Sequence, residues 1–435
     1  MLHKRMTLVV VLLLVAALAV FAGGTQEAGK PVIRFATNWL GGVGFEKTTW
    51  EKDIYAYAEA HKDEVTFKWE IESGDDLRTK IKTDMAANNV PDLFSYWTRG
   101  AIRAMVDNDL LMEVHDYLAL SKNIKWEDFP LDGWKAYSFD GGKTAYGFPL
   151  EGSTAYFLAN KTIFDKVGLK YPKTHQELMD TAKKLVNAGY VPVAVGSKGG
   201  NPAHFWFAAM YYQFGTDAYM EGVQMGPKNF DCPETIRAAE LILEQLKAGV
   251  FPKDPLANGD FGPAVALYNE RKAAMIYSFP WMINAFNDDV IAESVVIDIP
   301  QVPGAKTKPS TFVVGGTNYG LVVNKKSFAD PAKQKHLVEF LDFYLSDKIL
   351  MQVATSGRWV DKVMTIDPSM VSPLYVKTAE YQKGKSLLIN LWTRMPDPTT
   401  QEVYSFACDE LWAQSITAKE FVEKTQKSTD KFFKR

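Results

Sequence analysis

The chain has 435 residues, of which 47% are hydrophobic and 23% are charged. This ordinary globular composition supplies enough apolar side chains for two large lobes, and it excludes a disordered or fibrous protein. The formal net charge is −3 and basic residues occur only in short groups, so the sequence argues against a nucleic-acid-binding surface.

The first 22 residues have the pattern of a signal peptide. His3, Lys4 and Arg5 form a basic start, an apolar run follows over residues 8–20, and cleavage is expected near Ala22. An uncleaved membrane anchor is the alternative. The run is shorter than the roughly 20 apolar residues of a membrane-spanning helix, and this favours cleavage. No Cys follows the run, so a lipid-anchored start is not supported. We therefore predict an exported, periplasmic or extracytoplasmic protein.

From Pro31 onwards, the sequence predicts alternating strands and helices. The segment VIRFAT reads as a strand, and Asn38 and Trp39 follow its carboxyl end, where open α/β sheets bind their ligands. The segment LFSYW reads as a later strand that runs to the same edge. Trp97 and Arg99 are therefore expected to face the same cleft, with a helix-start surface charge as the alternative for Arg99.

A connection between two lobes is predicted at residues 144–150. This segment, TAYGFPL, is rich in aromatic and β-favouring residues, but Gly147 and Pro149 prevent a long central strand. Such a segment suits a chain that crosses from one lobe to the other, and Glu151 follows it directly.

After this connection, the sequence predicts a strand, a helix and a second strand. Residues 154–159 are nearly all apolar and read as a buried strand. Thr174 is expected to cap the helix together with Glu177, three residues on, which is the spacing of a capping box. The segment VPVAVG reads as the second strand.

Two aromatic segments follow in the second half of the chain. The helix predicted over residues 201–215, NPAHFWFAAMYYQFG, carries rings that at helical spacing are usually core. His204 or Trp206 near its start could still reach a cleft. Further on, the predicted strand AAMIYSF ends close to Trp281.

Residues 311–324, TFVVGGTNYGLVVN, read as two β-rich pieces around a turn that contains Gly316 and Asn318. A phosphate loop is a weak alternative, because no Lys-Ser or Lys-Thr pair and no helix start directly follow the glycines. Arg358 and Trp359 come after a predicted helix, and residues 372–434 read as C-terminal helices.

Several of these segments resemble the extracellular solute-binding proteins of ABC transporters, family 1, the group that includes the maltose-binding protein. The resemblance rests on the segments YGFPLEGSTAYFLANKTIFDKVGLKYPKTHQEL, VPDLFSYWTRGAIRAMVDNDLLMEVHDYL, FGPAVALYNERKAAMIYSFPWMIN and LWAQSITAKEFVEKTQKSTDKFF. The chain departs from the family pattern at Ala159, where a Tyr is usual, and at His175, where a Trp is usual. Both departures concern ligand contacts more than the fold.

The resemblance implies an α/β fold of the type II periplasmic binding protein class, with two lobes that each contain a mixed sheet flanked by helices and are joined by hinge crossings. One lobe would hold residues 31–147 with about 318–360. The other would hold residues 148–317 with about 361–435.

The resemblance also implies a carbohydrate ligand, a membrane permease as partner, and a monomer that needs no cofactor. Stacking on the sugar is assigned to aromatic side chains and contact with its hydroxyls to polar ones, while glycines let the chain approach the ligand. The predicted ligand-binding residues are Asn38, Trp39, Trp97, Glu151, Trp206, Trp281, Gly316, Asn318, Arg358 and Trp359.

A search for catalytic or metal-binding motifs finds little. The six His show no metal-ligand spacing, and no nucleophile elbow or Walker loop is present. Carboxylates are plentiful, so an exported glycoside hydrolase with two paired acids is the alternative function. Cys232 and Cys408 lie far apart in sequence, and either a disulfide or two separate thiols would fit.

Overall fold

The computed structural model describes residues 29–40, 49–257, 259 and 261–435. The predicted signal peptide at residues 1–22 lies outside these ranges. Within them, no helix combines the length and the apolar character needed to cross a membrane.

The strands form two mixed sheets and a short hairpin, as expected for an α/β fold. The larger sheet has the order β12-β4-β11-β3-β1-β2 with β13 beside β11, the smaller has the order β10-β5-β9-β6, and β7 pairs with β8. Strand bounds are β1 Val32–Thr37, β2 Thr66–Ile71, β3 Leu93–Trp97, β4 Phe148–Thr154, β5 Tyr156–Asn160, β6 Val191–Ala194, β7 Ser197–Lys198, β8 Asn201–Pro202, β9 Ala273–Ser278, β10 Ser294–Ile297, β11 Phe312–Val323, β12 Trp359–Val360 and β13 Ser386–Ile389.

Helices cover the sheets. The predicted capping box is present at Thr174 and Glu177, and a second occurs at Thr417 and Glu420. The α-helices are Thr49–Ala60, Gly74–Ala86, Arg103–Asp107, Val114–Leu118, Leu131–Ala136, Lys161–Val167, His175–Asn187, Ala203–Tyr211, Asp217–Met225, Pro233–Lys247, Gly262–Asn269, Asp288–Glu293, Lys325–Phe328, Pro331–Tyr344, Asp347–Thr355, Pro373–Gln382, Pro398–Trp412 and Ala418–Phe433. The 3₁₀ helices are Arg99–Ile102, Trp126–Asp128, Pro280–Ala285 and Pro309–Thr311.

Two separate hydrophobic cores define the two lobes. The first core, which we call that of the first lobe, is built from residues 33–150 and 319–353. The second, that of the second lobe, is built from residues 155–314 and 354–422. The chain therefore passes from one core to the other along β4, along β11 and again near residue 354. The finer domain boundaries expected from the sequence stay a prediction.

The segment over residues 311–324 corrects one sequence-based expectation. It forms a single twelve-residue strand, β11, rather than two pieces around a turn. A Cβ atom on Gly315 would lie 1.8 Å from the carbonyl oxygen of Ser153, and one on Gly320 would lie 2.0 Å from that of Phe148. These glycines are needed because β4 approaches closely, and not because the chain turns.

The C-terminal region corrects a second expectation. Residues 386–389 form the strand β13, which pairs in parallel with the start of β11, so the region is not helical throughout. Cys232 and Cys408 are both free and buried, so the chain has no disulfide between them.

Candidate functional site

Tyr319 on β11 contacts three of the predicted ligand residues. Its ring centroid lies 5.0 Å from that of Trp39 and 4.9 Å from that of Trp97. Its hydroxyl donates a hydrogen bond to the side-chain oxygen of Asn38 and lies 3.0 Å from Ser95 Oγ. The loop after β1 and the end of β3 are therefore held together by β11, at the carboxyl edge of these parallel strands.

A buried ion pair lies beside this group. The guanidinium of Arg358 contacts the carboxylate of Glu151 on β4, and both side chains are over 90% buried. The Arg358 guanidinium carbon also lies 5.4 Å from the ring centroid of Trp39. Burial raises the pKa of Glu151, and the charge of Arg358 acts in the opposite direction. Because an isolated charge is costly to bury, each member of the pair holds the other in place.

Three unpaired polar atoms lie along β4. Trp359 pairs with Gly152 in the sheet, and the Asp361 backbone N–H donates to the carbonyl of Leu150. Trp359 Nε1, Asp361 Oδ2 and Ser153 Oγ are buried and have no hydrogen-bond partner in the described part of the chain. Buried polar atoms are nearly always paired, so a group of three marks a place that suits a hydroxyl-rich ligand.

Asp361 is the most perturbed acid of this region. Burial raises its pKa to about 7, while a hydrogen bond to Thr317 acts in the opposite direction. A Cβ atom on Gly152 would lie 2.9 Å from Asp361 Oδ1, so the carboxyl group packs directly on the β4 backbone.

The second lobe presents aromatic side chains to the junction. Trp281 is partly exposed and stacks on Phe279 with a centroid distance of 4.5 Å. Phe205 lies 6.0 Å from Trp281. His204 is buried beside Asn390, with Nδ1 3.1 Å from its side-chain oxygen, and burial lowers the pKa of His204 to about 3. His204 is therefore a neutral group at pH 7.

The two lobes touch beside this region. The guanidinium of Arg78 lies 4.9 Å from the ring centroid of Trp97 in the first lobe and 5.3 Å from that of Trp392 in the second. The ring of Trp97 packs against both cores. The structure therefore has the lobes in contact across the junction.

The structure brings together six of the ten predicted ligand residues, with Trp281 on the opposite lobe. These six are Asn38, Trp39, Trp97, Glu151, Arg358 and Trp359. Asn318 is partly exposed at an irregularity where β11 meets β4, and Gly316 has a φ of 110° with its Cβ position blocked by Ile389.

Trp206 lies apart from the other predicted residues. It is fully buried in the second core, where its ring contacts Phe157, Phe251 and Tyr277. Its indole N–H donates to Gln245 Oε1 at 2.8 Å. The helix that carries it, Ala203–Tyr211, is apolar on every side and buried throughout.

Sequence reasoning missed Tyr319, Arg78 and Trp392. Tyr319 directly follows the predicted Asn318, and reading β11 as one strand would have drawn attention to it. Nothing in the local sequence marks Arg78 or Trp392, because they meet only through the approach of the two lobes. Among the described residues, no group of His, Cys, Asp and Glu is arranged to hold a metal ion.

A two-lobed α/β fold with a polar and aromatic junction defines a class of binding protein. Comparison with known proteins identifies the family: residues 46–351 match the bacterial extracellular solute-binding proteins. The match covers more than half of the chain, so the chain belongs to this family. The family consists of binding proteins and not of enzymes.

Individual relatives are distant. A Brucella abortus protein described only as a binding protein is 22% identical over 296 residues, 66% of each chain. The melibiose/raffinose/stachyose-binding protein of Bacillus subtilis is 24% identical over 319 residues, 68% of this chain and 67% of that one. The chain thus spans about two thirds of the length of these curated relatives.

Solved structures agree on the fold. A chitin oligosaccharide binding protein has a TM-score of 0.77 at 21% identity, covering 87% of this chain and 93% of that one. The maltose/maltodextrin-binding domain from Bdellovibrio bacteriovorus, bound to maltotriose, has a TM-score of 0.68 at 18% identity, covering 93% and 100%. The predicted fold class, a two-lobed binding protein, is confirmed.

Proposed function

We propose that the chain is the substrate-binding component of an ABC importer and captures a sugar or short oligosaccharide between its lobes. The observation that carries this proposal is the position of Trp97, whose ring packs against both cores and faces Trp392 across Arg78. Relatives whose names include sugars, such as the Bacillus subtilis protein above and the galactooligosaccharide-binding protein of the same organism, support the choice of ligand.

The chemistry of the junction suits a saccharide. Indole faces, such as that of the partly exposed Trp281, pack against the C–H faces of sugar rings, which are apolar. Sugar hydroxyls both donate and accept hydrogen bonds. They would satisfy the unpaired Ser153 Oγ, Trp359 Nε1 and Asp361 Oδ2.

Capture would proceed by hinge closure. The chain passes between the cores along β4, along β11 and near residue 354, and small backbone rotations at these places would open or close the cleft. A saccharide that contacts both lobes binds the closed form more tightly than the open form, and this difference in affinity drives closure. The closed form would then deliver the sugar to the permease. Export with cleavage near Ala22 and a monomeric state belong to this proposal.

The hydrolase alternative is not retained, because the family consists of binding proteins. The two acids at β4 support this choice: Glu151 is engaged by Arg358, which leaves Asp361 alone, whereas a glycosidase needs two carboxyl groups free to act on one glycosidic bond.

A thermal-shift screen tests the proposed function. The mature chain, beginning at Gly23, is screened against monosaccharides, oligosaccharides, polyols and amino acids. A ligand that binds only the folded state must raise the melting temperature. We expect a rise with one saccharide class and recovery of that saccharide unaltered. Turnover of the saccharide, or a rise with amino acids alone, would contradict the proposal.

A further inference from the structure

A pocket separate from the proposed saccharide cleft lies between the lobes, and none of the ten predicted ligand residues lines it. It encloses about 200 Å³, which is room for a few water molecules or a small anion. Its lining comes from both lobes and includes Arg99, Asp132 and Lys135 of the first lobe and Asp217, Gln224 and Arg394 of the second.

Arg99 is the unusual residue of this pocket. Its side chain is almost fully buried, and its Nη1 donates to the carbonyl of Thr317 at 3.1 Å. No carboxylate lies within ion-pair distance of it in the part of the chain that the structure describes. Burial, and secondarily the nearby Arg394, lowers the pKa of Arg99 to about 10, so the guanidinium remains charged at neutral pH.

The backbone holds Arg99 in this position under strain. Its φ of 54° lies in the left-handed region, which a residue with a long side chain rarely adopts. A Cβ atom on the next residue, Gly100, would lie 1.9 Å from the carbonyl oxygen of Met395. Strained residues of this kind persist where the surrounding structure fixes them, and they concentrate at functional sites.

The acids of the pocket are already engaged or exposed. Asp217 accepts from Arg394 at 3.1 and 2.6 Å and from the hydroxyl of Tyr212 at 2.9 Å. Asp132 pairs with Lys135 at 3.2 Å, and Glu221 is exposed. Asp217 and Asp132 favour the charged form of Arg99, but neither forms an ion pair with it, so no lining carboxylate contacts its guanidinium directly.

We propose that this pocket binds a small oxyanion, a carboxylate, sulfate or phosphate group, through the guanidinium of Arg99. A guanidinium presents a planar fork of donors that matches such groups, and hydrogen bonds between two ions are the strong ones. Gln224, which is buried in the second lobe and accepts from Arg394 through Oε1, supplies its amide N–H groups at the wall. Because its lining comes from both lobes, the bound anion would link them.

The anion has two possible sources with the same chemistry. It is either a free inorganic anion or the acidic group of a charged solute, such as a sugar acid. Calorimetric titrations separate them, with sulfate, phosphate, glucuronate and neutral glucose compared at one ionic strength adjusted with sodium chloride.

The proteins compared are the wild type, Arg99→Gln and the control Arg237→Gln. Arg237 lies outside the pocket and pairs with Glu240 and Glu244 at 3.1 and 2.8 Å. We expect an oxyanion to bind the wild type and the control alike, and Arg99→Gln about tenfold or more weakly. Glucuronate binding that also needs Trp281 would assign the anion to a solute, and sulfate binding that does not would assign it to a free anion.

Two results would overturn the proposal: no oxyanion binds the wild type, or Arg99→Gln binds as the wild type does. If Arg99→Gln does not fold, selenate in wild-type crystals supplies a direct test, because selenium can be located by its anomalous scattering. A selenium peak beside Arg99 supports the proposal, and peaks only at other places contradict it.

Discussion

Two buried arginines at the junction of the lobes differ in one respect. Arg358 lies against the carboxylate of Glu151, whereas Arg99 has no acid within ion-pair distance among the described residues. Both side chains are more than 90% buried, so both have lost most of their contact with water. Burial alone therefore does not distinguish a structural charge from a binding charge. The counter-ion distinguishes the two arginines: Arg358 pairs with Glu151 of the chain itself, whereas the proposed partner of Arg99 is an anion from solution.

We expect the largest effect on stability from removing one member of the ion pair between Glu151 and Arg358. Glu151→Ala leaves Arg358 buried without a partner, and we expect it to lower the free energy of unfolding by about 3–5 kcal/mol. Urea unfolding of the mature chain measures this change. The control is Glu423→Ala, which removes an exposed pair with Lys419 and should cost less than about 1 kcal/mol. Equal effects of the two variants would contradict the assignment of Glu151 and Arg358 as a structural pair.

Among the described residues, no cation pairs with Asp361, and burial favours its protonated, neutral form. An unfolded Asp ionises near pH 4, and burial raises the pKa of Asp361 to about 7. Between these pH values the folded state binds more protons than the unfolded state, so its contribution to stability falls as the pH rises. The fall amounts to at most about 4 kcal/mol and is complete above pH 7.

Asp361→Asn should remove this part of the pH dependence and make the protein more stable than the wild type at pH 8. Urea unfolding of the wild type and of Asp361→Asn at pH 5 and pH 8 measures how the free energy of unfolding changes with pH in each protein. An unchanged difference between the two pH values in the variant would show that Asp361 does not titrate in this range.

A substitution at Trp281 distinguishes the proposed saccharide cleft from the proposed anion pocket. Trp281→Ala removes an aromatic face from the proposed saccharide cleft, and we expect saccharide binding to weaken by about 2 kcal/mol, or about 30-fold. Sulfate binding should stay unchanged. Calorimetry measures both, with Trp126→Ala as the control, because Trp126 stacks on His115 and Trp134 in the first lobe. Unchanged saccharide affinity in Trp281→Ala would contradict its assignment.

The smallest effect is expected at the unpaired arginine. Arg99→Met removes a buried charge that has no acid beside it, so in sodium chloride alone we expect stability to stay level or to rise by about 1 kcal/mol. The matched variant Arg358→Met should instead lower stability, because it leaves Glu151 without its cation. Thermal unfolding of the two variants compares them, and a loss of stability of equal size would remove the distinction between the two arginines.

The sequence was sufficient for the fold class and for much of the junction. The strand VIRFAT, the capping box at Thr174 and the crossing near Glu151 depend on local patterns, so they could be predicted locally. Asn38, Trp39 and Trp97 could be placed near one another because each follows or ends a strand whose carboxyl end lies at one sheet edge.

The errors arose where distant segments decide the structure. The glycines of β11 fit against carbonyl oxygens of Ser153 and Phe148, which are more than 150 residues away, and a local reading takes them for a turn. Trp206 lies on a helix that is apolar all round, so its sequence does not show which side meets the cleft. Gly100, next to Arg99, packs against the carbonyl of Met395, which only the folded chain brings near.

Small-angle X-ray scattering shows whether the two lobes move when a saccharide binds. We propose that a saccharide is held between two lobes that close on it. The mature chain is measured without ligand and with the saccharide identified by the thermal-shift screen. We expect the radius of gyration to fall when the saccharide binds, because the lobes then meet as in this structure, where Arg78 lies between Trp97 and Trp392. Identical scattering from the free protein and the fully occupied complex would contradict hinge closure.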